Sequence, residues 1–195
     1  MVLAAGLSSR MGQPKVLLPW TDERSILEHI LVQVQFGGVS EIVVVTGRAA
    51  DDVRQTAESA GAAAVHNPDY QTGEMLSSLK VGLKALPESI SSALVVLGDQ
   101  PRLQPETVGA ILSAYTEGKG KIIAPSYQMR RGHPILIDRR YWDELLALPP
   151  DGALRDLLNA HSAEIAYVVV KNDSVLRDID TPDDYAAERR RAGLS

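Results

Sequence analysis

The chain has 195 residues, with 20 Lys and Arg against 25 Asp and Glu, and it contains no cysteine. The lack of cysteine excludes a disulfide framework, a thiolate zinc site, an iron–sulfur cluster and a cysteine nucleophile. A net charge of -5 argues against a general nucleic-acid binder, because neutralising phosphates requires a basic face. No apolar run approaches the roughly 18 residues of a membrane span, and no basic, cleavable signal opens the chain. We therefore expect a soluble, cytoplasmic protein that binds neither nucleic acid nor a membrane.

Short apolar runs alternate with helical patterns along the chain. The run from Ile42 to Val45 shows no polar alternation, which is typical of a strand buried on both faces of a parallel sheet. The predicted strands are Val2–Ala5, Glu41–Thr46, Ala62–Val65, Ala93–Leu97, Lys121–Ala124 and Ala166–Val170. The predicted helices run from Ser25 to Gly37 and over Asp51–Ala60, Met75–Leu86, Pro105–Thr116, Tyr141–Leu148, Leu154–Ala160 and Pro182–Arg191. This alternation predicts an α/β protein with a three-layer, doubly wound and mainly parallel sheet. No linker or repeat divides the chain, so one domain is expected.

A loop rich in small residues and cations follows the first predicted strand. Gly6, Ser8 and Gly12 let backbone N–H groups approach an anion closely, and Arg10 and Lys15 add positive charge. The loop has neither the G-x-G-x-x-G pattern nor the Gly-Lys-Ser/Thr ending of the familiar phosphate signatures. The alternative is an ordinary βα turn with solvated cations. We favour a triphosphate site because so many suitable residues follow one buried strand.

Two acidic motifs follow later apolar runs. Asp99 stands directly after the predicted strand Ala93–Leu97, where a carboxylate can hold Mg²⁺ beside substrate phosphates. A turn or helix-capping role explains this Asp equally well. Near the C-terminus, Asp178 and Asp180 lie two residues apart and point the same way if the chain is extended, as a second metal carboxylate would require. Capping of a helix that starts at Pro182 is the simpler explanation of that spacing alone.

The motifs together resemble one family. The stretch Leu3-Ala4-Ala5-Gly6-x-Ser8-x-Arg10-Met11-Gly12-x-x-Lys15 is similar to the signature of the molybdenum-cofactor nucleotidyltransferases, which share the glycosyltransferase-A-like fold. Three later segments resemble motifs of the cytidylyl branch: Gly98 to Pro101, Gly132 to Pro134 and Asp178 to Pro182. The guanylyl branch typically carries Leu-Ala-Gly-Gly, so Ala5 favours cytidine. The resemblance covers the chain from Val2 to about Ala187.

The resemblance implies a reaction and its site. CMP would be transferred from CTP to the phosphate of a molybdopterin-type molybdenum cofactor, with Mg²⁺ as cofactor, release of pyrophosphate and a possible transient contact with a molybdenum hydroxylase. Arg10, Lys15 and Asp99 would be catalytic, and Asp99 and Asp180 would bind the metal. The implied nucleotide-binding residues are Leu3, Ala4, Ala5, Gly6, Ser8, Arg10, Gly12, Lys15, Asn67, Gly73 and Ser78. The nucleotide part would span about residues 1–100, the acceptor part about 101–165, and the C-terminal metal motif about 166–191.

Some assignments stay open at this point. Many relatives place Met directly after the glycine at position 73, whereas Glu74 intervenes here, which weakens the assignments of Gly73 and Ser78. Gln100 and His133 are the candidate contacts to the acceptor, although a turn between two strands explains His133 equally well.

Three other functions compete with this interpretation. A sugar or polyol phosphate could replace the pterin as acceptor. A carrier without turnover could deliver the cofactor, although the retained charged residues argue against it. A nicotinamide-dependent oxidoreductase is disfavoured because the dinucleotide fingerprint is missing.

Overall fold

Eight strands form one mixed sheet in the computed structural model, which describes residues 1–194. The sheet order is β3-β2-β1-β4-β7-β5-β6, and β8 pairs with β5. Neighbouring strands from β3 to β4 are parallel, β7 is antiparallel to β4 and β5, and β8 is parallel to β5. The strands are β1 (Val2–Ala4), β2 (Val43–Thr46), β3 (Ala63–His66), β4 (Ser92–Leu97), β5 (Ile122–Tyr127), β6 (Arg130–Arg131), β7 (Ile135–Asp138) and β8 (Ile165–Val169).

Helices cover both faces of the sheet and bury an apolar core on each. Residues of α1, α2 and α4, such as Ile30, Val53 and Ile111, belong to one core. Residues of α3, α5 and α6, such as Leu79 and Leu145, belong to the other. The three-layer α/β prediction is therefore confirmed. The helices are α1 (Ile26–Phe36), α2 (Ala50–Ser59), α3 (Glu74–Ala85), α4 (Pro105–Thr116), α5 (Trp142–Ala147), α6 (Leu154–Ala160) and α7 (Pro182–Arg191). None of these helices, within residues 1–194, is long and apolar enough to cross a membrane.

The prediction missed two strands in the second half of the chain, β6 and β7. They return from β5 through a turn in which Gln128 and Met129 both have positive φ, at 49° and 62°. Turns with positive φ usually contain Gly, Asn or Asp, which makes them recognisable in a sequence, and this turn contains none of these residues. The segment that carries Asp178 and Asp180, considered above as extended, belongs to no strand and follows a short 3₁₀ turn at Asp173–Leu176.

The register brings the ends of three parallel strands together. Val2 of β1 lies opposite Val44 of β2 and Val96 of β4, so the loops that follow these strands leave from the same edge. Close approach at this edge requires glycine, since a Cβ at Gly98 would lie 2.7 Å from the carbonyl oxygen of Leu3. A Cβ at Gly47 would lie 2.4 Å from the carbonyl oxygen of Ala5. The chain after β1 is thus enclosed between the chains that follow β2 and β4.

Candidate active site

A cleft with a volume of about 490 Å³ opens at this edge of the sheet. Its size falls in the range of sites that bind small molecules, and its position beyond the carboxyl ends of parallel strands is where α/β proteins bind ligands. One wall comes from β1 and the residues after it, another from the residues after β3 and the first turns of α3, and Asp99 and Asp178 close one side. The lining residues are Leu3, Ala4, Ala5, Gly6, Leu7, Ser8, Lys15, Val16, Tyr70, Gln71, Thr72, Glu74, Met75, Ser78, Leu97, Gly98, Asp99 and Asp178.

Residues 6–14, which we name the β1 loop, carry the predicted signature. Ser8 has a φ of 50° and Gly12 a φ of 71°, so both lie in the left-handed region and reverse the chain on either side of a short 3₁₀ turn. The backbone N–H of Lys15 donates to Ser8 Oγ at 3.1 Å and closes the loop. A Cβ placed on Gly6 would meet no atom within 4 Å, so packing does not demand glycine there. The open space in front of Gly6 belongs to the cleft.

The Lys15 ammonium joins three separate segments of the chain. It donates to Asp99 Oδ2 at 2.7 Å, to the Ile179 carbonyl at 2.9 Å and to Asp180 Oδ1 at 3.2 Å. Its side chain is only 13% exposed. Burial alone would lower the pKa of Lys15, but the charges and hydrogen bonds of Asp99 and Asp180 outweigh burial and raise that pKa above its ordinary value. Lys15 is therefore a fixed positive charge at physiological pH.

The carboxylates around Lys15 retain capacity for a cation. Asp99 Oδ1 is buried and has no hydrogen-bond partner within residues 1–194. Burial, together with repulsion from Asp99 and Asp180, raises the pKa of Asp178. An unpartnered buried carboxylate oxygen beside further carboxylates suits a divalent cation that prefers oxygen ligands. The described part of the chain contains no cluster of three or more metal-ligating side chains, so such a cation would take its remaining ligands from substrate and water.

The C-terminal segment is fastened to the site by backbone contacts. The N–H of Ile179 donates to the carbonyl of Asp99 at 2.9 Å. Thr181 and Asp184 form a capping box at the start of α7, with Pro182 in its first turn, as the capping interpretation predicted. Asp180 is left to pair with Lys15 and, at 2.9 Å, with Arg10, whose side chain is 63% exposed.

The opposite wall of the cleft rests on buried Asn67. Its amide Nδ2 donates to Ser77 Oγ at 2.8 Å and to Ser78 Oγ at 3.0 Å, while its Oδ1 accepts from the Asp69 N–H at 3.0 Å. A Cβ on Gly73 would lie 2.4 Å from Ser77 Cβ, so Gly73 is a packing position. Asn67 and Gly73 thus support the wall, whereas Ser78 lines the cleft.

The two residues predicted to contact the acceptor lie beside the cleft instead of lining it. Gln100 is buried. His133 is half-buried, and burial together with the charge of Arg131 lowers its pKa to about 4, against an opposing effect of Asp178. Its Nε2 has no hydrogen-bond partner among the described residues. His133 is therefore a neutral imidazole near Asp178.

The structure divides the other predicted site residues into two groups. Arg10 and Asp180 form an ion pair next to the cleft, while Gly12 does not line it. Leu3, Ala4, Ala5, Gly6, Ser8, Lys15, Ser78 and Asp99 do line it. Tyr70, Gln71 and Thr72 also line the cleft, although they were not among the predicted site residues. Their signal was available, since they are polar or amphipathic residues shortly after an apolar strand.

Comparison with known proteins agrees with this geometry. Residues 1–165 match the family model described as the MobA-like NTP transferase domain. The chain belongs to this family. It is 31% identical over 194 residues to the molybdenum cofactor cytidylyltransferase of Escherichia coli (strain K12), covering 98% of this chain and 95% of that protein. It is also 31% identical over 190 residues to nicotine blue oxidoreductase of Paenarthrobacter nicotinovorans, covering 93% and 91% of the two chains.

A solved structure extends the likeness to three dimensions. The crystal structure of Rv0371c from Mycobacterium tuberculosis H37Rv superposes with a TM-score of 0.82 at 28% identity, covering 97% of this chain and 96% of that one. Its complex with manganese superposes with a TM-score of 0.79. The predicted membership of the molybdenum-cofactor nucleotidyltransferase family and the predicted glycosyltransferase-A-like fold are both confirmed. The protein is an enzyme of the nucleotidyltransferase class.

Proposed function

We propose that this MobA-like enzyme transfers CMP from CTP to the phosphate of a molybdopterin-type molybdenum cofactor and releases pyrophosphate. The observation that carries the proposal is the Lys15 ammonium held between Asp99 and Asp180, with Asp99 Oδ1 left unpartnered, at the edge of a cleft large enough for a nucleotide. The choice of CTP is supported by Ala5 and by the similarity to the cytidylyltransferase from Escherichia coli, and the choice of the pterin acceptor by that similarity alone.

The cationic residues of the site would bind the triphosphate, and the carboxylates would bind a metal ion. Lys15 and Arg10 would neutralise the phosphates, and the small residues of the β1 loop would let backbone N–H groups approach them. Asp99 and Asp180 fit Mg²⁺, since their shared contact with the Lys15 ammonium holds the two carboxylates close together and Asp99 Oδ1 has no partner among the described residues. When bound, Mg²⁺ would neutralise charge on the triphosphate and on the departing pyrophosphate.

The chemistry needs positioning more than a base. An oxygen of the acceptor phosphate, already ionised at neutral pH, attacks the α-phosphorus of CTP. A new phosphorus–oxygen bond forms while the bond from the α-phosphorus to the bridging oxygen breaks, and pyrophosphate leaves with that oxygen. The protein would hold the two substrates in line and stabilise the added charge with fixed cations. The neutral His133 and the absence of a serine triad among the lining residues agree with this division.

The wider assignments are part of the same proposal. The chain would be one domain, in which about residues 1–100 bind the nucleotide, about 101–165 the acceptor, and about 166–191 carry the metal motif. The enzyme would act in the cytoplasm, where CTP is available, and would pass its product to a molybdenum hydroxylase in a transient contact.

The test is release of pyrophosphate from purified protein with Mg²⁺, CTP and the molybdopterin cofactor. We expect release with CTP that exceeds release with GTP or UTP and that depends on the acceptor. Pyrophosphate formed only with a sugar or polyol phosphate would replace the pterin by that acceptor. Binding of CTP and pterin without any pyrophosphate would favour a carrier and contradict the proposed activity.

A second candidate is a nicotinamide-dependent oxidoreductase. It is favoured by one observation, the 31% identity to nicotine blue oxidoreductase over 190 residues. Ligands that bind the native state raise its melting temperature, so a thermal-shift panel of CTP, GTP, UTP and NADPH with Mg²⁺ separates the two functions. Stabilisation by NADPH alone would replace the transferase proposal by the oxidoreductase.

A further inference from the structure

The β1 loop contributes little to the core, since its packing there comes from Met11, which lies half-buried against one of the two apolar cores. Gly6, Leu7, Ser9, Arg10 and Gly12 are exposed, and the 3₁₀ turn within the loop buries no residue. A loop without buried side chains depends on polar contacts for its position, and each such contact can decide how its backbone faces a ligand.

Besides the hydrogen bond within the loop from the Met11 N–H to the Ser8 carbonyl, three polar contacts within residues 1–194 hold residues 6–12 of this loop. Two of them belong to the charged site: Arg10 pairs with Asp180 at 2.9 Å, and the Lys15 N–H donates to Ser8 Oγ at 3.1 Å. The third comes from the connection between β2 and α2, where the guanidinium of Arg48 donates to the carbonyl oxygen of Leu7 at 2.8 Å. Under the proposed function, Arg10 and Asp180 turn to phosphate and metal, so their mutual contact is given up when substrate binds. The Arg48 contact does not compete with these ligands.

Arg48 is itself placed by a rigid backbone. It stands one residue after Gly47, which fits so closely between β1 and the opposite wall that a Cβ there would lie 2.8 Å from Tyr70 Cβ. Ala49, the next residue, has a φ of 57° and is the N-cap of α2. The Arg48 backbone is therefore fixed between a central strand and a helix, and its side chain reaches the loop from a stable base.

The contact also fixes the direction of one peptide group. The bond between Leu7 and Ser8 is planar and trans, so the Leu7 carbonyl and the Ser8 N–H point in opposite directions. A carbonyl oxygen turned into an anion site would repel phosphate, whereas an N–H would bind it. We propose that Arg48 is a positioning residue, which holds the Leu7 carbonyl away from the triphosphate and thereby presents the Ser8 N–H to it. This inference rests on the proposed function.

The test compares Arg48→Met with Arg54→Met, a matched loss of an exposed arginine on α2. Without nucleotide, we expect faster amide hydrogen exchange in residues 6–12 of Arg48→Met only. By calorimetry, we expect its Kd for CTP to rise about tenfold, the size of one hydrogen bond to a charged donor, while its Kd for cytidine stays that of wild type. Arg48→Gln serves the same comparison if the methionine variant does not fold.

Each other result overturns the inference. Unchanged exchange with weaker CTP binding would make Arg48 a direct phosphate contact. Equal weakening for CTP and cytidine would make it a contact to the nucleoside. CTP binding equal to that of Arg54→Met would remove any role. A wild-type protein that binds no CTP would end the proposed function together with this inference, whereas normal wild-type binding confines the failure to Arg48.

Discussion

Two clusters of charged side chains in this molecule have similar contact distances but differ in the ligands they can bind. The first surrounds Lys15 in the cleft. The second lies on the outside of α5 and α6, where His161 contacts Glu144 and Glu164, each at 2.8 Å, and Tyr141 donates to Glu164 at 2.7 Å.

The difference lies in what each cluster leaves unsatisfied. In the outer cluster, both ring nitrogens of His161 are engaged, and none of its side chains lines the cleft. In the cleft, Asp99 keeps a buried oxygen without a partner, and Asp178 is forced against two like charges. A cluster whose polar atoms all have partners stabilises the fold. A cluster next to a cleft that has an unpartnered buried oxygen and repelling carboxylates can instead be stabilised by a bound ligand.

The largest expected effect is at Asp99. Asp99→Asn should lower nucleotidyl transfer by about 10²-fold or more, because it removes a carboxylate charge that would hold the metal ion, and the metal ion stabilises the charge on the transferred group. The melting temperature should stay close to that of wild type, since Lys15 keeps its contacts with Ile179 and Asp180. Steady-state release of pyrophosphate and a thermal melt measure both quantities.

Asp183→Asn is the matched control for this prediction, because Asp183 is an exposed carboxylate in the first turn of α7. It should leave turnover unchanged. Wild-type turnover in Asp99→Asn would contradict the metal-binding role of Asp99 and the proposed functional difference between the two clusters.

A smaller effect is expected at Arg10. Arg10→Ala should weaken CTP binding by about tenfold, because a cation that reaches the phosphates is gone, with little change in melting temperature for so exposed a side chain. Calorimetry with CTP measures the affinity. Arg155→Ala, on the exposed side of α6, should bind CTP as wild type does. An unchanged CTP affinity in Arg10→Ala would show that this cation serves only Asp180.

How far the sequence predicts the molecule depends on whether a feature is local. Uninterrupted apolar runs predicted the parallel strands β1 to β4. The β1 loop and Asp99 follow two of these strands directly, at the carboxyl ends where α/β proteins bind ligands. The Thr181–Asp184 capping box was also readable, since it is built within four residues. The short strand β6 was not readable, because the turn before it uses Gln128 and Met129 in a conformation that these residues seldom adopt. The strand β7 was readable from its apolar residues Ile135 to Ile137 and from the turn interpretation of His133, yet the predicted strands do not include it.

The same difference between local and long-range features applies to the roles of side chains. The resemblance implied that Lys15 and Asp99 belong to one site, but neither the ion pair between them nor the hydrogen bond of Lys15 to the Ile179 carbonyl, 164 positions away, was predicted. Asn67 stays a predicted contact to the nucleotide, and its hydrogen bonds to Ser77 and Ser78 were not predicted. Such contacts depend on tertiary packing across elements, which residue spacing alone does not encode.

The smallest expected effect belongs to the outer cluster. Hydrogen bonds to Glu164 and Glu144 raise the pKa of His161 above its ordinary value, against a small opposing effect of burial. A histidine with a raised folded-state pKa stabilises the fold fully below its unfolded pKa, near 6.5, and this stabilisation disappears as the pH rises through the folded pKa. The unfolding free energies of wild type and His161→Gln should therefore differ most below about pH 6 and converge at higher pH, with pyrophosphate release equal in both proteins.

Urea unfolding at several pH values measures this difference. Glu144→Gln should flatten the pH dependence, because it removes one of the two carboxylates that favour the protonated ring. Glu58→Gln, an exposed carboxylate on α2, should not. A difference between wild type and His161→Gln that is independent of pH would mean that packing of the ring on Tyr141, at 4.8 Å between centroids, outweighs the charge. A loss of transfer activity in His161→Gln would instead couple the outer cluster to the cleft, and the distinction between satisfied and unsatisfied charge would no longer separate structure from chemistry.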